Sequence, residues 1–293
     1  MILHSLNFIF FGTDEFSVIV LEELKKAGFI PRLIVTAPDR PKGRGLKLTP
    51  PPVKIWAQKN NIQFLQPEKL DASVASQLSN VNCQLFVVAS YGKIIPKEIL
   101  DISEHGALNV HPSLLPLYRG ASPIQSQILD EAVNVGVTIM FMDEKMDHGP
   151  ILAQQELGFK ISDLGFKKVR DELAKLGGQL LAKTIPKWIN GEIKPREQDH
   201  TKTTYTKKIT KEDGLINLDD DPELNYRKFL AYSDWPSVYF LRSDLDAVKG
   251  PTLKRIKITD AELRSGLEPR PDLEFVIKKI IPEGKKEMPY KKS

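Results

Sequence analysis

The sequence predicts an α/β protein built on a mostly parallel sheet, with a smaller β-rich region after it. Three observations carry this. Residues 6 to 36 read as strand, helix, strand. Leu85-Phe-Val-Val-Ala89 is apolar at every position, as a strand covered on both faces must be. Beyond Lys207 the chain has short apolar runs between turns, and those at 253–258 and 275–281 alternate like strands with one exposed face. A chain of 293 residues suits two domains, and the boundary is placed so that they span 1–206 and 207–293.

Leu6-Asn-Phe-Ile-Phe-Phe11 reads as a buried strand. Gly12-Thr13-Asp14 is the turn that caps a helix from Glu15 to Ala27, where Phe16, Ile19, Val20 and Leu24 fall near helical spacing and Gly28 terminates it. Arg32 to Thr36 is the second strand. Amides at that helix start could meet an anion, but Gly-X-Gly-X-X-Gly is absent, so a dinucleotide fingerprint is rejected. Residues 37–52 hold five prolines, two glycines and the basic side chains Arg40, Lys42, Arg44 and Lys47, which predicts a long mobile loop without helix or ladder strand. Val53 to Asn60 returns to helix and Gln63 to Leu65 to strand, and Asp71 caps a helix to Leu78. The apolar strand at 85–89 exits through the turn-rich Ser90-Tyr-Gly-Lys-Ile-Ile-Pro96. Ser122 to Glu131 is helical, Gly136 to Phe141 a strand, Asp143 to Pro150 a turn carrying Asp147, and Ile151 to Leu157 a strand. Leu164 to Asn190 contains a long amphipathic helix, loosened at Gly177-Gly178 and ended by Gly191.

The bulk properties exclude several classes. Charged residues make up 27% and the net charge is only +4, so a polyanion site must come from local clustering. A lone cysteine, Cys83, excludes an intrachain disulfide and reads as an inert core thiol. Five scattered histidines lack metal-ligand spacing. The apolar start is too short for a signal segment, and no run approaches the ~20 apolar residues of a membrane span, so a cytoplasmic protein is expected.

The candidate chemistry lies at 106–124. Ala107 to Val110 is a short strand, and Asn109 and His111, two apart, project to one face. Pro112 has no amide hydrogen for a ladder and ends the strand. An amide and an imidazole therefore sit side by side at a strand's carboxyl end, where open parallel sheets bind ligands. An isolated Asn-X-His also suits a turn and a structural histidine. The flanking residues decide between them.

Asn109-Val-His-Pro-Ser-Leu-Leu-Pro-Leu-Tyr-Arg-Gly120, followed by Met146-Asp-His-Gly-Pro150, resembles the folate-dependent formyltransferases. Within that superfamily the chain is most similar to the methionyl-tRNA formyltransferases. Pro38-Asp-Arg-Pro-Lys-Gly-Arg-Gly45 resembles the loop with which those enzymes grip the acceptor end of tRNA, and Pro282-Glu-Gly-Lys-Lys-Glu-Met288 matches their closing segment. The resemblance implies a Rossmann-like N-terminal formyltransferase domain and a small β-barrel of oligonucleotide-binding type, which is expected to be shortened here. From Lys249 onward, twelve Lys/Arg face seven Asp/Glu, which suits a phosphate backbone or a solvated sheet edge.

The resemblance further implies 10-formyltetrahydrofolate as the formyl donor, held near Ser113, Leu114, Leu115 and Pro116 and along Tyr91, Gly92, Ile94 and Ile95. That second stretch also has the composition of a plain turn. The implied acceptor is initiator methionyl-tRNA, met by Arg40, Lys42, Arg44 and Lys47, and the implied enzyme is a monomer without a metal. Asn109, His111 and Asp147 are the catalytic candidates, and Arg119 is expected to brace the Asp147 turn or a neighbouring loop. Formyl transfer passes through a tetrahedral carbon bearing an oxyanion, so it needs a donor for that oxygen and a group to move the amine's proton. A sugar-amine N-formyltransferase is the competing enzyme. An RNA-binding protein on a non-catalytic version of the same scaffold is the competing class, and it has no need of all three catalytic candidates.

Overall fold

The computed structural model describes residues 6–43, 45–244, 252–265 and 273–290. The chain divides into two compact units, the first comprising Met1–Pro123, Asn134–Phe159 and Arg170–Thr206. In chain order the elements through residue 206 are β1 (Phe8–Gly12), α1 (Glu15–Lys26), β2 (Leu33–Val35), β3 (Arg40–Lys42), β4 (Lys47–Thr49), α2 (Pro52–Lys59), β5 (Gln63–Leu65), α3 (Ala72–Ser79), β6 (Leu85–Ala89), α4 (Lys97–Leu100), β7 (Ala107–His111), β8 (Arg119–Gly120), α5 (Pro123–Leu129), β9 (Gly136–Phe141), β10 (Ile151–Glu156), α6 (Phe166–Ile189) and β11 (Tyr205–Thr206).

Seven strands form one sheet in the order β10-β9-β7-β6-β1-β2-β5. The run from β7 to β5 is parallel and the β7/β9 and β9/β10 pairs are antiparallel. The sheet is therefore mostly parallel and Rossmann-like, as expected from 85–89: every residue of β1 and β6 is buried. Each wholly buried Phe there contributes about 2 kcal/mol of apolar transfer energy. On one face, Ile9, Phe11, Phe86 and Val88 pack with Val74 and Leu78 of α3 and Ile99 and Leu100 of α4. Strand alternation puts Asn109 and His111 on that same side, because Asn109 is in register with Val88.

The sheet has its switch point between β1 and β6, since the chain runs outward from β1 through β2 to β5 and then returns to β6. The carboxyl ends of those strands are tied together. Ser17 Oγ donates to the Ala89 carbonyl at 2.6 Å, Thr13 Oγ1 to the Tyr91 carbonyl at 3.0 Å, and Ser90 Oγ to Asp14 at 2.6 Å. Asp14 also caps α1, accepting from the Ser17 amide. This rim is where open sheets carry their ligands, and β7 is the next strand along it.

Two expectations need correction. The segment at 37–52 is not a structureless loop: β3 and β4 pair as an antiparallel ribbon with Pro41 opposite Leu48. Proline is tolerated because antiparallel pairs alternate between bonded and non-bonded, and Pro41 occupies a non-bonded pair that asks for no N–H. The glycines of α6 do not loosen it either, since the helix runs unbroken from Phe166 to Ile189. They let it approach closely. A Cβ on Gly177 would lie 2.5 Å from Val110 Cγ1 of β7, and one on Gly178 would lie 2.6 Å from Glu23 Cβ of α1.

The second unit comprises Ile124–Val133, Lys160–Val169 and Lys207–Ser293, so it recruits two stretches that precede residue 206. Besides most of α5 and the start of α6, it holds α7 (Pro222–Ala231), β12 (Tyr239–Asp244), β13 (Thr252–Ser265), β14 (Leu273–Pro282) and β15 (Met288–Pro289). The four strands form one antiparallel sheet in sequence order, consistent with a small barrel domain. Register shifts around Asp260 mark a bulge in the long β13. Helix α7 starts on Asp221, whose side chain accepts from the Leu224 amide at 2.9 Å, and packs on the sheet through Phe229 against Phe275. Among the described residues no helix is long and apolar enough to cross a membrane.

Candidate active site

Strand β7 delivers two of the three catalytic candidates and the turn after β9 delivers the third. His111 is 4% exposed. Its Nε2 lies 3.0 Å from the Tyr118 carbonyl, and because a carbonyl only accepts, that nitrogen carries a proton. The other ring nitrogen, Nδ1, faces Asp147 Oδ1 at 3.5 Å. This is long for a hydrogen bond and within ion-pair range. The second carboxylate oxygen is fixed: Oδ2 accepts from the Gly120 amide at 2.7 Å. One oxygen of Asp147 is thus anchored and the other is left for the imidazole. Asn109, two residues before His111 on the same face, is half-buried, and among the described residues its carboxamide has no hydrogen-bond partner.

The turn that presents Asp147 is strained and compact. Asp147 itself has φ +52°, a region that costs a non-glycine residue about 1–3 kcal/mol and needs outside support. Gly149 lies so close to the backbone of Phe141 that a Cβ would collide with the Phe141 carbonyl oxygen. The support comes from residues 198 and 119. Gln198 Nε2 donates to the carbonyls of Asp147 at 3.0 Å and Gly149 at 2.7 Å. Its Oε1 accepts from Arg119 Nη2 at 2.6 Å and Nε at 3.2 Å. Arg119 is 1% exposed and Gln198 is 4% exposed. A second nitrogen contact of Arg119, to His200 Nδ1 at 2.9 Å, makes that His nitrogen the acceptor. His200 in turn stacks on His148 with ring centroids 4.4 Å apart, and His148 Nδ1 contacts Asp143 at 2.6 Å. Arg119 accordingly acts on the Asp147 turn through Gln198, a residue that pattern reading did not single out.

The Ser113-Leu-Leu-Pro turn is held by bonds as well as by its prolines. Thr138 of β9, fully buried, donates to the Ser113 carbonyl at 2.7 Å and accepts from the Leu115 amide at 3.0 Å. Gln154 Nε2 reaches the Leu115 carbonyl at 2.8 Å. Ser113 Oγ donates to the Leu117 carbonyl at 2.6 Å, so that hydroxyl is committed to the turn. Leu115 is buried with Met140 and Ile151, whereas Leu114 and Pro116 stay partly exposed.

The stretch after β6 divides in the same way. Tyr91 and Ile95 are core side chains, and Tyr91 packs edge-on against Phe11 at 5.5 Å. Burial pushes the Tyr91 hydroxyl up to about 12, so it stays protonated. Gly92 is exposed and Ile94 is 81% exposed. A ligand on this rim would meet backbone, Gly92 and Ile94, not the phenol. On the β3/β4 ribbon, Arg40 pairs with Glu68 at 2.9 Å, and Lys42 and Lys47 are exposed. Arg44 lies outside the described residues.

A family model described as formyl transferase matches residues 5–185. The methionyl-tRNA formyltransferase of Chloroflexus aurantiacus is 44% identical over 235 residues, which is 80% of this chain and 76% of that protein. The chain is a member of the methionyl-tRNA formyltransferase family. The enzyme of that name from Bacillus licheniformis is 40% identical over 84% of this chain and 76% of its own. Membership makes the chain a formyl-transferring enzyme. Solved structures share the fold at low identity. An N-formyltransferase from Helicobacter canadensis, in complex with folinic acid and dTDP-3-aminofucose, superposes with a TM-score of 0.65 at 17% identity, covering 93% of this chain and 99% of that one. HypX from Aquifex aeolicus, in complex with tetrahydrofolic acid, gives 0.66 at 14% identity over 97% of this chain and 46% of its own.

Proposed function

We propose that this enzyme transfers the formyl group of 10-formyltetrahydrofolate to the free α-amino group of methionyl initiator tRNA. The observation that carries the reading is the His111–Asp147 contact of 3.5 Å at the carboxyl end of β7, beside Asn109, whose carboxamide has no hydrogen-bond partner among the described residues. The methionyl-tRNA formyltransferases to which the chain is 44% and 40% identical support the acceptor, as do the basic side chains Arg40, Lys42 and Lys47 on the β3/β4 ribbon.

In this reading the amine nitrogen attacks the formyl carbon, the bond from that carbon to the folate nitrogen breaks, and one proton passes, net, from amine to folate. Asn109 donates its amide N–H to the oxyanion that develops between those events. His111 Nδ1, the ring nitrogen without a close bond, carries the mobile proton toward the reacting atoms. Asp147 Oδ1 stabilises the imidazolium, or the water that relays the proton, while its anchored Oδ2 keeps it in place. The stiff Ser113–Pro116 turn and the rim at Gly92 to Ile94 hold the pterin. The deciding experiment is radiolabelled formyl transfer from the folate donor to methionyl-tRNA, with a nucleotide-linked sugar amine as the control acceptor. Transfer to the sugar amine alone would overturn the acceptor assignment.

A further inference from the structure

We propose that Gln198 is a positioning residue that sets Asp147 against His111, with the buried Arg119 guanidinium as its anchor. This rests on the catalytic reading of Asp147. The carboxamide of Gln198 is used to capacity: its oxygen accepts two N–H groups of Arg119, and its nitrogen donates to the carbonyls of Asp147 and Gly149. The orientation is forced by chemistry, because a guanidinium can only donate and a carbonyl can only accept. No charged side chain fits both halves. A carboxylate would satisfy Arg119 and turn a bare oxygen toward two carbonyl oxygens. An ammonium would satisfy the carbonyls and repel Arg119.

The need for such a brace is visible in the turn itself. Asp147 occupies a positive-φ backbone that a side chain rarely adopts. Its imidazole contact, at 3.5 Å, is too long to hold the carboxylate unaided. Of the bonds that fix residues 147–149 from outside the turn, Gly120 supplies one to the Asp147 carboxylate, and Gln198 supplies two to the backbone. Gln198 is nearly solvent-free, so water cannot replace those donors without opening the segment.

Gln198→Glu separates positioning from folding, because Arg119 gains a carboxylate while the turn loses both donors. In steady-state assays of the full chain with the folate donor and methionyl-tRNA, kcat is expected to fall about 10- to 100-fold, the cost of misplacing a reacting group by a fraction of an ångström to one ångström. Both KM values should stay within about twofold, and the melting temperature should fall by a few degrees with the cooperative transition retained, because two buried carbonyls lose their donors while Arg119 keeps an acceptor. Because Gln198 acts through Asp147, the same change in an Asp147→Asn background should cost no more than about twofold further. Unaltered kcat in Gln198→Glu, or a penalty that multiplies in full with that of Asp147→Asn, would overturn the proposal. If Gln198→Glu does not fold, the Arg119→Met/Gln198→Met pair removes the donor and the buried cation together and enters the same cycle. If the enzyme formylates only the sugar amine, the acceptor reading fails, and the cycle run on that amine still decides the role of Gln198.

Discussion

Gly177→Ala tests whether the fold and the site are coupled as the packing implies. The added methyl would sit 2.5 Å from Val110 Cγ1 and 3.2 Å from Val137 Cγ1. An ordinary contact needs about 3.5–4 Å, so roughly 1 Å of relief is required. Val110 is a β-branched residue with little rotameric freedom and is buried on both sides, so it cannot turn away cheaply. Overpacking of this kind costs about 1–3 kcal/mol. Against it stands a helix-propensity gain of about 1 kcal/mol for Ala over Gly. The net expectation is a loss of about 0–2 kcal/mol, or up to several degrees in melting temperature for a protein of this size. The more telling effect is kinetic. Val110 lies between Asn109 and His111, so relief by shifting β7 moves both proposed catalytic side chains, and a displacement approaching 1 Å can lower kcat by up to about 10²-fold. Thermal melts and formyl-transfer kinetics on one preparation measure both. A variant more stable by about 1 kcal/mol with unchanged kcat would show that Gly177 is merely a weak link in the helix, and would refute the close-approach argument.

Three further outcomes are expected. Asn109→Ala should fold normally and lose roughly 10²–10³ in kcat, the usual cost of one oxyanion donor, and an unaltered rate would remove Asn109 from the mechanism. Replacing Arg40, Lys42 and Lys47 with Ala should flatten the dependence of tRNA affinity on salt by about 2 log units per log unit of salt, and an unchanged slope would mean that the β3/β4 ribbon does not touch phosphate. Cys83 is 7% exposed and burial pushes its thiol up to about 11, so at pH 8 it is protonated as well as shielded. Thiol reagents should label it only after denaturation, and rapid stoichiometric labelling of the native enzyme would contradict its placement in the core.

The central sheet was legible because its signals are local. β1, β6 and β9 are apolar runs that end at turn residues, and an Asp before each helix marks the start of α1 and α3. The two misreadings share a cause: each applied a rule for isolated segments where partner geometry decides. Proline is excluded from a ladder only where its N–H is wanted, and Pro41 sits where it is not. Glycine weakens a helix in water, but Gly177 and Gly178 face β7 and α1, and the contact they permit outweighs the propensity they lack.

The site shows the same division more sharply. Asn109 and His111 lie two residues apart, so strand periodicity alone puts them on one face. Asp147 lies 36 residues beyond His111 in the sequence, and its role came only from the resemblance. Gln198 carried no signal at all. It lies in Lys194-Pro-Arg-Glu-Gln-Asp-His-Thr-Lys202, a polar stretch that reads as a solvated loop, and its partners are 79 and 51 residues away. A polar side chain in such a stretch becomes buried only when both halves of its hydrogen-bonding capacity are met, and no periodicity encodes that condition. The reverse inference does work. A buried arginine in a two-residue strand, such as Arg119 of β8 after Ser-Leu-Leu-Pro, requires an acceptor from elsewhere in the chain, because a guanidinium left without one would be too costly to bury. Asking which distant polar residue meets that demand leads from Arg119 to Gln198, and from there to the turn that carries Asp147.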